Sequence, residues 1–120
     1  MSTEEIANTL VAWCNQGDFE RCYNELYSPN IVSIEPHGEN PVSEGMEAVA
    51  AKGEWWEQNF EVHGFKAEEP VVADNWFSVK MTMDTTHKES GHRTQDSEIA
   101  VFRVEDGKIV HEQFFYDQNF

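Results

Sequence analysis

Basic residues are scarce in this chain: Lys and Arg number 8 against 23 Asp and Glu, a formal net charge of −15 over 120 residues. A field of that sign repels polyanions over a Debye length of about 8 Å at physiological salt, which excludes nucleic acid and anionic membrane as partners. The acids are dispersed through periodic segments rather than gathered in a tail, so they read as a solvated surface. Cysteine is nearly absent. Cys14 and Cys22 form no Cys-x-x-Cys and have no histidines at zinc spacing, so they read as small buried hydrophobes rather than a disulfide framework or a metal site. No apolar run approaches the roughly 20 residues of a membrane span. Met1 to Thr3 leads into acids instead of a basic and then apolar leader, which makes the cytoplasm the expected compartment. Also missing are a Gly-x-Ser-x-Gly elbow, a phosphate loop, a dinucleotide fingerprint and any helical His pair at i, i+4. Neither a metal nor a cofactor is expected.

What is present suits one domain, 1–120, because a chain of this size buries a single core. Ser2 with Glu5 is a capping-box pattern, and Ile6, Leu10 and Trp13 recur behind it at helical spacing. A first helix is expected over about Thr3 to Asn15, ended by Gly17. Asp18 is positioned to cap a second helix whose stripe is Phe19, Cys22, Tyr23 and Leu26, stopped by Pro29. Ile31 to Glu35 reads as a short strand, Asn40 to Gly45 as loop, and Gly45 to Asn59 as a third helix along Met46, Val49, Gly53 and Trp56. The period then changes to two. Strands are expected at about Val62 to Ala73, bulged near His63-Gly64, then Trp76 to His87, His92 to Val104 and Lys108 to Asp117.

Helices on one side of an antiparallel sheet give an α+β architecture. On the second long strand Phe77, Val79, Met81 and Met83 share a face against Ser78, Lys80 and Thr82, so the former point inward.

The run Leu26-Tyr27-Ser28-Pro29-Asn30, strand Ile31 to Ile34, Glu35-Pro36, a loop, then Gly45-Met46-Glu47-Ala48-Val49 resembles a segment of nuclear transport factor 2-like (SnoaL-like) proteins. These include ketosteroid isomerase, polyketide cyclases and scytalone dehydratase. Asp106-Gly107-Lys108-Ile109 and Phe115-Tyr116-Asp117 resemble the family's last hairpin and final strand. The resemblance implies a cone-shaped α+β fold: three N-terminal helices on a strongly curved mixed sheet, enclosing an apolar pocket for a small hydrophobic organic ligand. It also implies a homodimer through the sheet's outer face, for which Trp76, Ile99, Val101 and Phe115 are the candidate patch. By its count Glu98, Ala100 and Phe102 face inward on one strand, and Val110, Glu112, Phe114 and Tyr116 on the last.

Glu35 matches the carboxylate that serves ketosteroid isomerase as base, and a carboxyl at the mouth of an apolar cavity suits proton abstraction. Its alternatives are a solvated strand-end acid or a backbone cap. The isomerase's oxyanion donors, a tyrosine and a protonated aspartic acid, fall on Leu10 and Ala100, so steroid isomerisation is not expected. Tyr116, Trp13, Trp56 and His37 are the candidate substitutes. Glu98 and Glu112 are further inward acids, of which one would be held protonated; alternatively a bulge flips their parity, or Lys80, Arg93 or Arg103 pairs with them. The candidate catalytic set is thus Glu35, Glu98, Glu112 and Tyr116, with Trp13, His37, Trp56, Met81, Met83, Phe102 and Phe114 as candidate ligand contacts. A cofactor-independent isomerase, cyclase or dehydratase is one expectation. A non-catalytic ligand binder is another, and a protein-docking module of the same fold a third.

Overall fold

The capping box forms as the sequence dictates: in the computed structural model, which describes residues 1–117, Ser2 and Glu5 exchange side-chain-to-backbone hydrogen bonds at the start of α1, Thr3–Asn15. At its end Gly17 takes φ +76°, and the Gly17 and Asp18 amides return to the Cys14 and Trp13 carbonyls, a Schellman closure that a residue with a Cβ would strain. Helix α2 spans Phe19–Leu26; Asp18 stands at its N-cap, but its side chain makes no capping hydrogen bond. The third helix, α3, is Met46–Asn59.

The strands are β1 Tyr27–Ile34, β2 Val42–Glu44, β3 Phe60–Ala67, β4 Val71–Ala73, β5 Trp76–His87, β6 Arg93–Glu105 and β7 Lys108–Phe115. Their order is β2-β1-β7-β6-β5-β3, with β4 also on β5. All pairings are antiparallel except β1 with β7, which makes the sheet mixed and open. The Asp106-Gly107 turn joining β6 to β7 has φ of +50° and +74°, the positive pair a tight hairpin turn requires.

Several boundaries differ from the pattern reading, each for a local reason. Strand β1 begins at Tyr27, upstream of Pro29, because its register with β7 is broken between Tyr27 and Val32; a residue without an N–H fits in such a gap. The 40–45 segment is not all loop, since β2 pairs with β1. The expected strand from Val62 to Ala73 is two strands along the same neighbour, parted at Glu68 to Pro70. Its bulge does fall between Val62 and Gly64. A second bulge, between Arg103 and Val104 of β6 and their partners on β7, reverses the expected parity at the start of β7: Ile109 is buried and Val110 only half so.

The core lies between the helices and the inner sheet face. Ile6, Leu10, Leu26, Ile31, Val49, Phe77, Val79, Phe102 and Ile109 are closed to solvent, with the Phe77 and Phe102 rings stacked at 4.7 Å. Phe77, Val79 and Met81 are buried as the alternation requires, and Met83 is half-buried toward the sheet's end. Among the described residues no helix is long and apolar enough to cross a membrane.

Candidate functional site

The inward residues of β1, β6 and β7 and one turn of α3 meet in a polar cluster set into this core. Ile31, Ser33 and Glu35 follow one face at period two; Ile31 and Ser33 are buried, and Glu35, just past the strand's end, is half-exposed. On α3 the buried side carries Val49, then Lys52 and Gly53, then Trp56. Gly53 faces the Tyr23 ring, with room for a Cβ at ordinary contact distance. Lys52 on the same side reaches Ser33 of β1.

Its ammonium donates to Ser33 Oγ at 2.5 Å and to Glu35 Oε2 at 2.9 Å, and sits 5.0 Å from the centroid of the Phe114 ring. The other Glu35 oxygen accepts from the Tyr116 hydroxyl at 2.8 Å. Ser33 in turn donates to Glu112 Oε2 at 2.7 Å, and the buried Tyr27 hydroxyl donates to Glu112 Oε1. One continuous chain of hydrogen bonds therefore joins Tyr116, Glu35, Lys52, Ser33, Glu112 and Tyr27.

Glu98 lies beside this chain without joining it. Its register partner on β5 is Met81, it is half-buried, and among the described residues its carboxyl accepts no hydrogen bond. Burial pushes its pKa up to about 7, reinforced by the charges of Glu35 and Glu112 and opposed by Lys52. Burial also raises the carboxyl pKa of Glu112, against the lowering effect of its Tyr27 and Ser33 hydrogen bonds. The Tyr116 phenol is raised by burial and by Glu35.

The remaining candidates distribute around this cluster or away from it. His37 hydrogen-bonds through Nε2 to the Tyr116 carbonyl at 2.9 Å, and the Glu35 amide donates to the Pro41 carbonyl, so the exposed 36–41 loop is tied against the segment after β7. Phe114 lies beneath Lys52. Met83 is paired with Asp96, one inward position beyond Met81 and Glu98. Trp56, one turn past Lys52, stacks on Phe60 at 5.7 Å. An open cleft of about 680 Å³ runs past Pro36, Glu98 and Tyr116 and on to outer-face Ile99 and Phe115. Another, of about 690 Å³, lies toward the other end of the sheet by Ser2 and the Asp106-Gly107 turn and contains none of these residues. Two candidate contacts are engaged elsewhere: Phe102 is fully buried against Phe77, and Trp13 packs at the α1–α2 junction under the Arg21 guanidinium at 4.0 Å. Leu10 and Ala100, which the resemblance matched to the isomerase's oxyanion donors, are buried apolar side chains.

Sequence reasoning did not reach Lys52, Tyr27 or Ser33. Lys52 carries a faint signal, since it falls between Val49 and Trp56 on the inward stripe of α3, and Ser33 shares parity with Ile31. Of the basic residues weighed as partners for the acids, Arg93 holds Asp84 at 2.8 Å, Arg103 lies over the Trp76 ring, and Lys80 is exposed on the outer face of β5.

With this geometry in view, a family model described as a SnoaL-like domain matches residues 1–116. The solved structure of a proposed SnoaL-like polyketide cyclase [carbohydrate phosphatase] from Mesorhizobium loti is similar over 97% of this chain and 100% of its own, at 35% identity and a TM-score of 0.92. A nuclear transport factor 2-like protein from Burkholderia thailandensis is similar over 98% and 92%, at 18% identity and a TM-score of 0.85. A Catenulispora acidiphila protein with a ketosteroid isomerase-like fold, solved in complex with trimethylamine, covers 94% and 85% at 14% identity and a TM-score of 0.75. The last two speak for the fold alone. No curated protein matches. A match over nearly the whole chain and a relative more than a third identical along its full length leave one assignment: the chain belongs to the SnoaL-like domain family.

Proposed function

We propose that this protein is a cofactor-independent acid–base enzyme of the isomerase, cyclase or dehydratase kind, acting on a small, mainly apolar organic molecule. The observation that carries the reading is a difference in environment between neighbouring carboxyls. Glu35 is met by an ammonium and a phenol, whereas Glu98 is partly desolvated, accepts no hydrogen bond among the described residues and is raised to about 7. Carboxyls held in contrasting environments divide acid and base roles between them. Glu35 takes the proton from a carbon next to a carbonyl, and the C–H electron pair moves toward the carbonyl oxygen. The resulting carbanion is reprotonated at a second carbon, attacks a second carbonyl, or expels an oxygen substituent. In the last two cases Glu98 gives its proton to the alkoxide or leaving oxygen. Met81, Met83, Phe114 and Trp56 supply the apolar surround, and His37 positions the mouth.

Proton abstraction is measurable before the product is known. A panel of enolisable ketones incubated with the protein in D2O should show enzyme-dependent C–H to C–D exchange by NMR, lost in Glu35→Gln. Specific binding of panel members without exchange would instead favour the non-catalytic binder.

The partner reading is likewise a proposal: a second copy docks on the outer sheet face. Trp76, Ile99 and Phe115 are between 40% and 52% exposed there, and Ile99 and Phe115 are register partners.

A further inference from the structure

An enolate needs a donor for its oxygen as much as it needs a base, and the three hydroxyls of the hydrogen-bonded chain are already engaged, while the Tyr23 hydroxyl lies behind α3 against Gly53. The Tyr116 hydroxyl is committed to Glu35, and those of Tyr27 and Ser33 to Glu112. Leu10 and Ala100, buried and apolar, have none to give. Lys52 is different. An ammonium carries three hydrogens, and two of them go to Ser33 and Glu35; among the described residues no further acceptor meets Nζ. The side chain keeps 29% of its surface accessible and rests over the Phe114 ring.

We propose that Lys52 is the oxyanion donor of this site: its third ammonium hydrogen receives the carbonyl oxygen of the substrate, beside the carboxylate that removes the α-proton. The inference rests on the acid–base reading above and narrows it to substrates whose reacting carbon adjoins a carbonyl. The Lys52 partners are Ser33 on β1 and Glu35 just past its end, so the ammonium is held by these hydrogen bonds before substrate arrives and needs little reorganisation when charge develops. A protonated Glu98 alongside removes one of the carboxylates that would repel the oxyanion, and Glu35 is itself neutral once it holds the α-proton.

The probe is ortho,para-dinitrophenolate, an enolate-like oxyanion on an sp2 carbon, with its neutral methyl ether as control. Calorimetry at about pH 6 in a Glu35→Gln background, where the base cannot repel the probe, should show that the protein binds the phenolate more tightly than the ether. Lys52→Met should weaken the phenolate at least about tenfold and leave the ether unchanged, because a charge-assisted hydrogen bond is lost. Lys52→Arg should keep most of the preference. Should Lys52→Met fail to fold, the same question is read on the Glu35→Gln protein with Lys52 intact: the Lys52 ammonium resonance should shift with the phenolate and not with the ether. Equal phenolate affinity in a folded Lys52→Met, an unmoved Lys52 resonance, or no preference for phenolate over ether overturns the proposal. Deuterium exchange reports separately, so phenolate preference without exchange sinks the catalytic reading while leaving the donor assignment standing.

Discussion

The hydroxyl of Tyr116, just past the end of β7, donates to Glu35 at the end of β1 across 2.8 Å, although 81 residues separate them in the chain. The parallel pairing of β1 with β7 makes this contact, since it brings the ends of both strands to the same edge of the site. Tyr116→Phe removes one donor from the Glu35 carboxylate and little packing. We expect deuterium exchange to fall about ten- to hundredfold while thermal stability changes by less than about 1 kcal/mol. A large stability loss with intact exchange would make the contact structural.

Glu98 gives the fold a pH dependence of definite sign. Its folded pKa of about 7 lies above the ordinary 4.5, so the unfolded chain releases this proton first. The cost to stability begins as pH rises through the unfolded value and is complete above the folded one. Glu98→Gln removes it. Denaturant unfolding should show the variant gaining on the parent between about pH 4 and pH 8, by no more than about 3 kcal/mol. A gain that is the same at both ends of the range would contradict the shift.

Glu112 is buried and accepts from Tyr27 and Ser33. Glu112→Ala strands both hydroxyls and opens a cavity, and should cost about 2–4 kcal/mol by urea denaturation. Glu112→Gln keeps an acceptor and should cost clearly less. Similar losses in the two variants would mean that the hydrogen bonds matter less than the volume.

On the outer face, Ile99→Lys with Phe115→Glu should shift sedimentation from dimer to monomer at tens of micromolar without changing the circular dichroism spectrum. A parent protein that already sediments as a monomer refutes the homodimer.

The core offers a control away from any site. Phe77 is buried and stacked on Phe102, so Phe77→Ala should cost about 3–5 kcal/mol by the same denaturation assay.

Local patterns determined what depends on near neighbours in the chain. The Ser2–Glu5 capping box, the Gly17 stop, the Asp106-Gly107 turn, the three helices and the inward face of β5 could all be read from spacing, because each is fixed within a few residues. Parity counting also carried Glu112 and Phe114 to the inner side, yet failed at Val110, where one extra residue in the strand reverses the alternation without changing its composition. The site itself was only partly legible. The resemblance singled out Glu35 at the end of the first strand and counted Glu98, Glu112 and Tyr116 inward, but which of them is tied to which was decided by how α3 lies on the sheet. Lys52 shows why: a lysine on a helix reads as solvent-facing until the packing of α3 on β1 sets its ammonium between Ser33 and Glu35. The chain's local chemistry specifies elements and faces, whereas only tertiary packing decides which polar groups leave water together, and with them which carboxyl keeps its proton.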